Sequence, residues 1–108
     1  MAFKSKIIPN IGTTYNGTIL SPVVESGNTA TIIGLSIANR TNTDTVIVTV
    51  RLFKNGEDCH IIRNASISVG NALVLVGGDQ KLVLEAGDII YAEAGSNNAA
   101  DAIISYLT

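Results

Sequence analysis

The sequence predicts an all-β protein, a two-sheet antiparallel sandwich, and three observations carry that prediction. Short β-branched runs recur between clusters of Gly, Asn and Asp along most of the chain. Residues 45–54 alternate with the period of two that a half-buried strand requires. Asn55-Gly56 follows at once, the strongest short hairpin signal, because both residues accept positive φ in a type I′ turn.

The elements follow in chain order. Residues 1–15 have no convincing period, since Phe3, Ile7, Ile8 and Ile11 are interrupted by Pro9 and Gly12. Two readings fit: an extended N-terminal arm lying on another surface, or a first edge strand folded back on its own domain. The expected division is thus an arm over residues 1–14 and a β-sandwich domain over residues 15–108. Residues 17–21 form a short run that Pro22 brings to an edge or an end, and Ser26-Gly27-Asn28 is a turn.

Residues 29–39 alternate, with Thr31, Ile33, Leu35 and Ile37 expected on one face and Ala30, Ile32, Gly34, Ser36 and Ala38 on the other. The second set is mostly small, which suits the close approach of another sheet or subunit, or a weakly exposed surface. In residues 45–54, Val46, Val48, Val50 and Leu52 are expected to enter the core. Thr45, Ile47, Thr49, Arg51 and Phe53 face the other way, and Ile47 and Phe53 are expected to be covered by the arm or by another subunit. Burying both would contribute roughly 3 to 5 kcal/mol.

Further strands are expected at residues 59–63, 65–69, 73–76, 81–84, 89–93 and 102–107, separated by Gly70-Asn71, Gly77-Gly78-Asp79, Ala86-Gly87-Asp88 and Gly95-Ser96-Asn97-Asn98. Residues 98–102 read as a loop, with one helical turn as the alternative. About eight strands at regular spacing make a sandwich and allow a jelly roll, whose strand order the pattern does not fix.

With 108 residues the chain is one domain in length, and the 15% charged fraction is low beside a usual value of about 25%. Much of the polar surface must come from Thr, Ser, Asn and Gly, a surface suited to meeting other protein. A net charge of −2 with scattered basic residues argues against a nucleic-acid partner. Lys4 and Lys6, the one close basic pair, share a side of an extended strand.

A single cysteine, Cys59, allows no intrachain disulfide. Lys4, Lys6 and Pro9 break the apolar stretch that a signal peptide needs, and no run reaches membrane-spanning length. The expectation is a soluble protein without a membrane partner, made in a reducing compartment.

Chemistry-bearing residues are few. His60 is the only histidine, and on a strand it points away from Cys59, so the two cannot chelate one metal. A structural Cys59 and a surface His60 are expected. Asp79, Glu85 and Asp88 cluster around two turns, where oxygen ligands could meet a hard cation, but Asp after Gly is also an ordinary turn choice. Gly77-Gly78-Asp79 lacks the Lys and helix of a phosphate loop. Asn16, Asn39 and Asn64 begin Asn-x-Ser/Thr triplets of a kind that an Asn- and Thr-rich chain yields by chance. No serine or cysteine has the partners of a nucleophile, so the chain is expected to be non-enzymatic, with no catalytic residues, no cofactor and no metal.

Thr31-Ile32-Ile33-Gly34-Leu35-Ser36-Ile37-Ala38-Asn39, then Val46-Ile47-Val48-Thr49-Val50, then Leu82-Val83-Leu84-Glu85-Ala86-Gly87-Asp88-Ile89-Ile90-Tyr91-Ala92 resembles the small β-sandwich virion proteins of tailed bacteriophages. A strand, an Asn-x-Thr loop and a Val-rich strand open that pattern; Leu-x-Leu, Gly-Asp and a further strand close it. The resemblance implies a structural role in the virion after synthesis in the bacterial cytoplasm. That role would be a capsid decoration or cement protein on the head, or a neck, tail or baseplate component. It implies a homo-oligomer, a trimer foremost, with the major capsid protein or other virion proteins as partners. Phe3, Ile7, Ile8, Ile47 and Phe53 are the expected interface residues. A carbohydrate-binding module at a tail tip is the alternative, although aromatic residues for stacking on sugars are sparse.

Overall fold

The computed structural model describes residues 2–13, 18–77 and 80–108, and every regular element among them is a strand. In chain order these are β1 (Phe3–Ile11), β2 (Thr18–Ile19), β3 (Thr29–Asn39), β4 (Val46–Lys54), β5 (Glu57–Ile67), β6 (Ala72–Val76), β7 (Leu82–Glu85), β8 (Ile89–Ala94) and β9 (Ala100–Leu107). They form two antiparallel sheets. One has the order β1-β9-β3-β6, with β7 also on β3, and the other has the order β2-β8-β4-β5.

β6 pairs with the Leu35–Ala38 end of β3 and β7 with its Thr29–Ile32 end, so the two share one position at the sheet edge. Counted that way, the first position pairs with the last (β1 with β9), the second with the last but one (β2 with β8), and β3 with β6 and β7. The middle two, β4 and β5, form a hairpin. Nested pairs wrapped around a two-sheet core are the jelly-roll order, so the sandwich expected from the sequence takes that form.

The innermost hairpin follows from its turn chemistry. Asn55 and Gly56 have φ of 54° and 80°, and Lys54 faces Glu57 across the turn. The returning strand β5 is longer than expected, joining residues 59–63 and 65–67 into one element. Asn64 at φ 50° makes this possible: a bulge there shifts the register against β4 and lets β5 continue. Its N–H donates to Thr49 Oγ1 at 3.1 Å.

The alternation expected over residues 29–39 is interrupted. Ala30 and Ile32 are buried, but so are Leu35 and Ile37, which were expected on the opposite face. The cause is a bulge: Ile32 pairs with Tyr106 and Gly34 with Ser105, leaving Ile33 as the extra residue. The inserted residue turns the second half of β3 over, and Ser36 and Ala38 fall on the outer side with Thr31.

Residues 3–11 take the edge-strand reading. β1 pairs with β9 from Phe3↔Leu107 to Ile8↔Ala102, and a bulge through Pro9 and Asn10 (φ 61°) turns Ile11 inward opposite Ala100. This stretch is therefore extended, but it is a strand of the sandwich rather than an arm laid on another molecule. In the second sheet, the strand within the run expected at residues 17–21 is Thr18–Ile19, and Gly17 lies outside the described residues. Ser21 is buried, and its Oγ accepts the Ile90 N–H at 3.0 Å. β9 begins at Ala100, and Ala99 bonds back to Ile11, so residues 98–102 form no helical turn.

Between the sheets Ile11, Leu20, Ile32, Leu35, Ile90 and Ile104 are fully buried, joined by Val46, Val48 and Val50 from β4 as expected, with Leu52 half-buried. Each large side chain contributes about 1.5–3 kcal/mol relative to exposure. The β3–β4 loop is knotted by Asn39: its Nδ2 donates to Asp44 O and Ile67 O at 2.7 and 2.8 Å, and its Oδ1 accepts from Thr41 N and Oγ1, both at 2.7 Å. That amide is committed to the fold. Asn16, the first of the three triplets, lies outside the described residues.

Candidate functional site

β1 and β9 decide the character of one outer face. Because Ile8, Ala102 and Ile104 are buried, the residues alternating with them, Phe3, Ser5 and Ile7 on β1 and Ile103, Ser105 and Leu107 on β9, point outward. Phe3 and Ile7 are 78% and 72% exposed. Ile8, expected at an interface, is a core residue at 5% exposure, since it lies one step out of phase with Ile7. Lys4 and Lys6 share the inward side of β1 near the open end of the sandwich, and Lys6 Nζ donates to Ser21 O at 3.4 Å. The strand thereby carries two charges without placing either on the outer face.

Continuing across that sheet, β3 contributes Thr31, Gly34, Ser36 and Ala38, and the edge contributes Val74 on β6 and Val83 on β7, both exposed. The relief is a ridge, a valley and a second ridge. Phe3, Ile7, Ile103 and Leu107 form the first ridge, the small residues of β3 with Ser105 the valley, and Val74 and Val83 the second ridge. The position of a side chain on Gly34 would lie in ordinary contact with Ser105, at 3.7 Å, so at this point the valley floor is lined by the small Ser105 side chain. Charge stands at the margins: Asp101 is ion-paired with Arg40 at 3.0 Å, Glu85 with Lys54 at 3.1 Å, and Lys81 precedes β7 at the edge.

The opposite outer face, on the β2-β8-β4-β5 sheet, carries Ile47 and Phe53, 40% and 36% exposed. They lie in different surroundings. Phe53 with Ile19, Ile89 and Tyr91 lines an apolar hollow of about 270 Å³, while Ile47 sits beside Thr49, Asn64 and Gly95. Neither is covered by residues 3–11, contrary to one of the expectations, because β1 belongs to the other sheet.

Between them runs a polar network. The Arg51 guanidinium lies 4.4 Å above the Tyr91 ring, with Asp58 Oδ2 at 3.8 Å and Glu93 Oε1 at 3.9 Å, and Tyr91 O–H donates to Asp58 Oδ1 at 2.5 Å. Those separations from Arg51 are weak contacts at an accessible surface.

The carboxylates near the β7–β8 turn hold a cation of their own. Lys54 Nζ donates to Asp88 Oδ2 at 2.5 Å and to Glu85 Oε1 at 3.1 Å, and Glu85 N–H donates to Asp88 Oδ2 at 2.8 Å. Burial pushes the Asp88 carboxyl up, but the Lys54 hydrogen bond and the Glu85 N–H outweigh it and hold Asp88 below its ordinary 3.8. The Asp88 hydrogen bond, with Glu85 adding to it, raises Lys54 above 10.5. Asp79, the third carboxylate of the sequence cluster, lies outside the described residues.

Cys59 is exposed, against the expectation of a structural thiol, because its partner Leu52 is near the end of β4 where the core runs out. His60 is exposed as expected and pairs with Arg51 across the strands. Among the described residues no group of three or more His, Cys, Asp and Glu side chains is placed to hold a metal.

The candidate site is therefore the outer face of the β1-β9-β3-β6 sheet. Sequence reasoning found Phe3 and Ile7 on it and missed Val74, Val83 and Ile103. The signal was present in Leu73-Val74-Leu75-Val76 and Ala102-Ile103-Ile104, runs apolar on both faces of a strand that cannot bury both. Compared with family models, with curated proteins and with solved structures, the chain matches none.

Proposed function

We propose that this chain is a non-enzymatic structural protein of a tailed-bacteriophage virion, a capsid decoration or cement protein that binds the head surface as a homo-oligomer. The observation that supports it most is the uncharged outer face just described, where five large apolar side chains, Phe3, Ile7, Val74, Val83 and Ile103, stand more than half exposed in one copy. A surface of that kind is better completed by other protein than left in water. The jelly-roll order supports the same reading, since viral capsid domains use it, but lectins use it as well and fold alone does not assign function.

The mechanism is burial without chemistry. The sandwich supplies a rigid plate, and its uncharged outer face is covered by companions or by the shell, which ties neighbouring subunits together. The test is mass spectrometry of density-purified particles of the encoding phage, followed by a particle map. The chain should be found in multiple copies at the head surface; its absence from clean particles overturns the proposal, and density in neck, tail or baseplate moves it there.

One observation favours a second reading, a glycan site at a tail tip: the hollow of Phe53 and Tyr91 lies beside Arg51 and Asp58, an aromatic wall next to polar groups. Binding on a glycan array that is lost in Phe53→Ala would establish it.

A further inference from the structure

We infer that the outer face of the β1-β9-β3-β6 sheet is occupied by the same face of a second copy, in a twofold pair that sets β9 of each sheet against the small-residue strand β3 of the other. The inference rests on the packing-module reading above but names the partner and the symmetry, and it departs from the trimer that the resemblance implies.

Shape is the first argument. Phe3, Ile7 and Ile103 project from β1 and β9, while Gly34, Ser36 and Ala38 leave β3 low. The two features are adjacent and run parallel along the strands. A twofold axis lying along the strands between β9 and β3 therefore exchanges β9 with β3 and β1 with the β6 and β7 edge. Ile103 of each copy then meets Ser36 of the other and Ser105 meets Gly34, while Phe3 and Ile7 meet Val83 and Val74, apolar on apolar, as an isologous contact requires.

Charge is the second. The middle of the face carries only apolar, Ser, Thr and Gly side chains, so copying it onto itself brings no like charges together near the axis. Asp101 and Glu85 fall at the rim, each already ion-paired within its own chain. The other outer face fails this test, because a twofold pair there would stack two sets of Arg51, Asp58 and Glu93.

Area is the third. Four strand positions at about 4.8 Å and about eight residues at about 3.3 Å give a plate of about 19 by 26 Å, or about 500 Å² on each copy. The pair then buries about 1,000 Å², the lower bound of a specific interface. Sheets packed in this way lie about 10 Å apart with strands crossed by about 30°.

Sedimentation velocity of the purified full chain at about 10–100 μM tests this, with the fold of each variant checked by thermal melting. The chain should run at twice its 11.3 kDa. Ile103→Lys, which charges the ridge, and Ser36→Arg, which fills the valley, should each weaken the pair at least tenfold, whereas Phe53→Lys on the opposite face should leave it intact. A monomer at the highest concentration, a closed trimer, or a dimer indifferent to both Ile103→Lys and Ser36→Arg overturns the inference. These outcomes are independent of the virion reading: a monomer still found on particles sinks only the twofold pair, and a twofold pair absent from particles sinks only the virion role.

Discussion

The two outer faces of this sandwich are built on strands of the same kind, yet one is stripped of charge and the other is laced with it. On the β1-β9-β3-β6 side, Lys4 and Lys6 point inward and the bulge at Ile33 puts Ser36 and Ala38 outward, which leaves apolar ridges around a small-residue valley. On the β2-β8-β4-β5 side, Arg51, Asp58, Tyr91 and Glu93 form a wet network that separates Ile47 from the Phe53 hollow. The difference lies in where apolar area is contiguous. On the second face Ile47 stands apart, and Phe53 gathers only Ile19, Ile89 and Tyr91 around one hollow beside the charged network; small apolar patches on a surface are ordinary.

The sharpest test of that contrast uses two neighbours on β9. Ile104 is fully buried and Ile103 is about half exposed, so they carry the same side chain to the two sides of one sheet. Ile104→Ala should lower unfolding free energy by about 2–5 kcal/mol in urea titrations. Ile103→Ala should cost about 0.5 kcal/mol or less in a dilute monomer. Equal costs would mean that the outer face is part of the folding core, and the idea of a face reserved for association would fail.

A smaller effect comes from the knot at the margin of both sheets, where Lys54 holds Asp88 and Glu85. Asp88 is held below its ordinary value, so its contribution is fully present above pH 3.8 and is lost as pH falls through the lower folded value. Lys54 is raised, so its share is present below pH 10.5 and is lost as pH rises through the folded value above that. In Lys54→Met the acid loss should be shallower than in the parent, read as urea midpoints between about pH 2 and pH 6. Parallel curves would show that the knot contributes nothing and that the loss belongs to other carboxylates.

Much of this architecture was legible in the chain, and the exceptions share a cause. Asn55-Gly56 placed its hairpin and turn type because two adjacent residues there tolerate positive φ, a purely local fact. The Val46, Val48, Val50 face was legible because β4 faces the core without interruption through that stretch. The facing of β3 was not, since one extra residue at Ile33 turns its second half over; Gly34 inside the run is a local mark of a bulge, but it does not tell which residue is the extra one or how the later side chains face. Ile8 was misplaced for a related reason: whether Ile7 or Ile8 faces inward depends on the register with β9, some 90 residues away, as the pair Ile8↔Ala102 shows. The candidate face was half legible, because exposure of Val74 and Val83 depends on which sheet edge they join.

The least effect is expected on the charged face, and its smallness is what the contrast requires. Tyr91→Phe removes the hydroxyl that donates to Asp58, and Asp58→Asn weakens the pull on Arg51. These groups are reached by water, the Arg51 contacts are long, and exposed pairs contribute about 0–1 kcal/mol that salt screens over about 8–10 Å. Each variant should therefore lose no more than about 1 kcal/mol at low salt, with the Asp58→Asn loss shrinking in about 1 M NaCl. A loss of several kcal/mol that persisted in salt would mean that the network is desolvated in solution, hence that this face, and not the uncharged one, is the side covered by a companion.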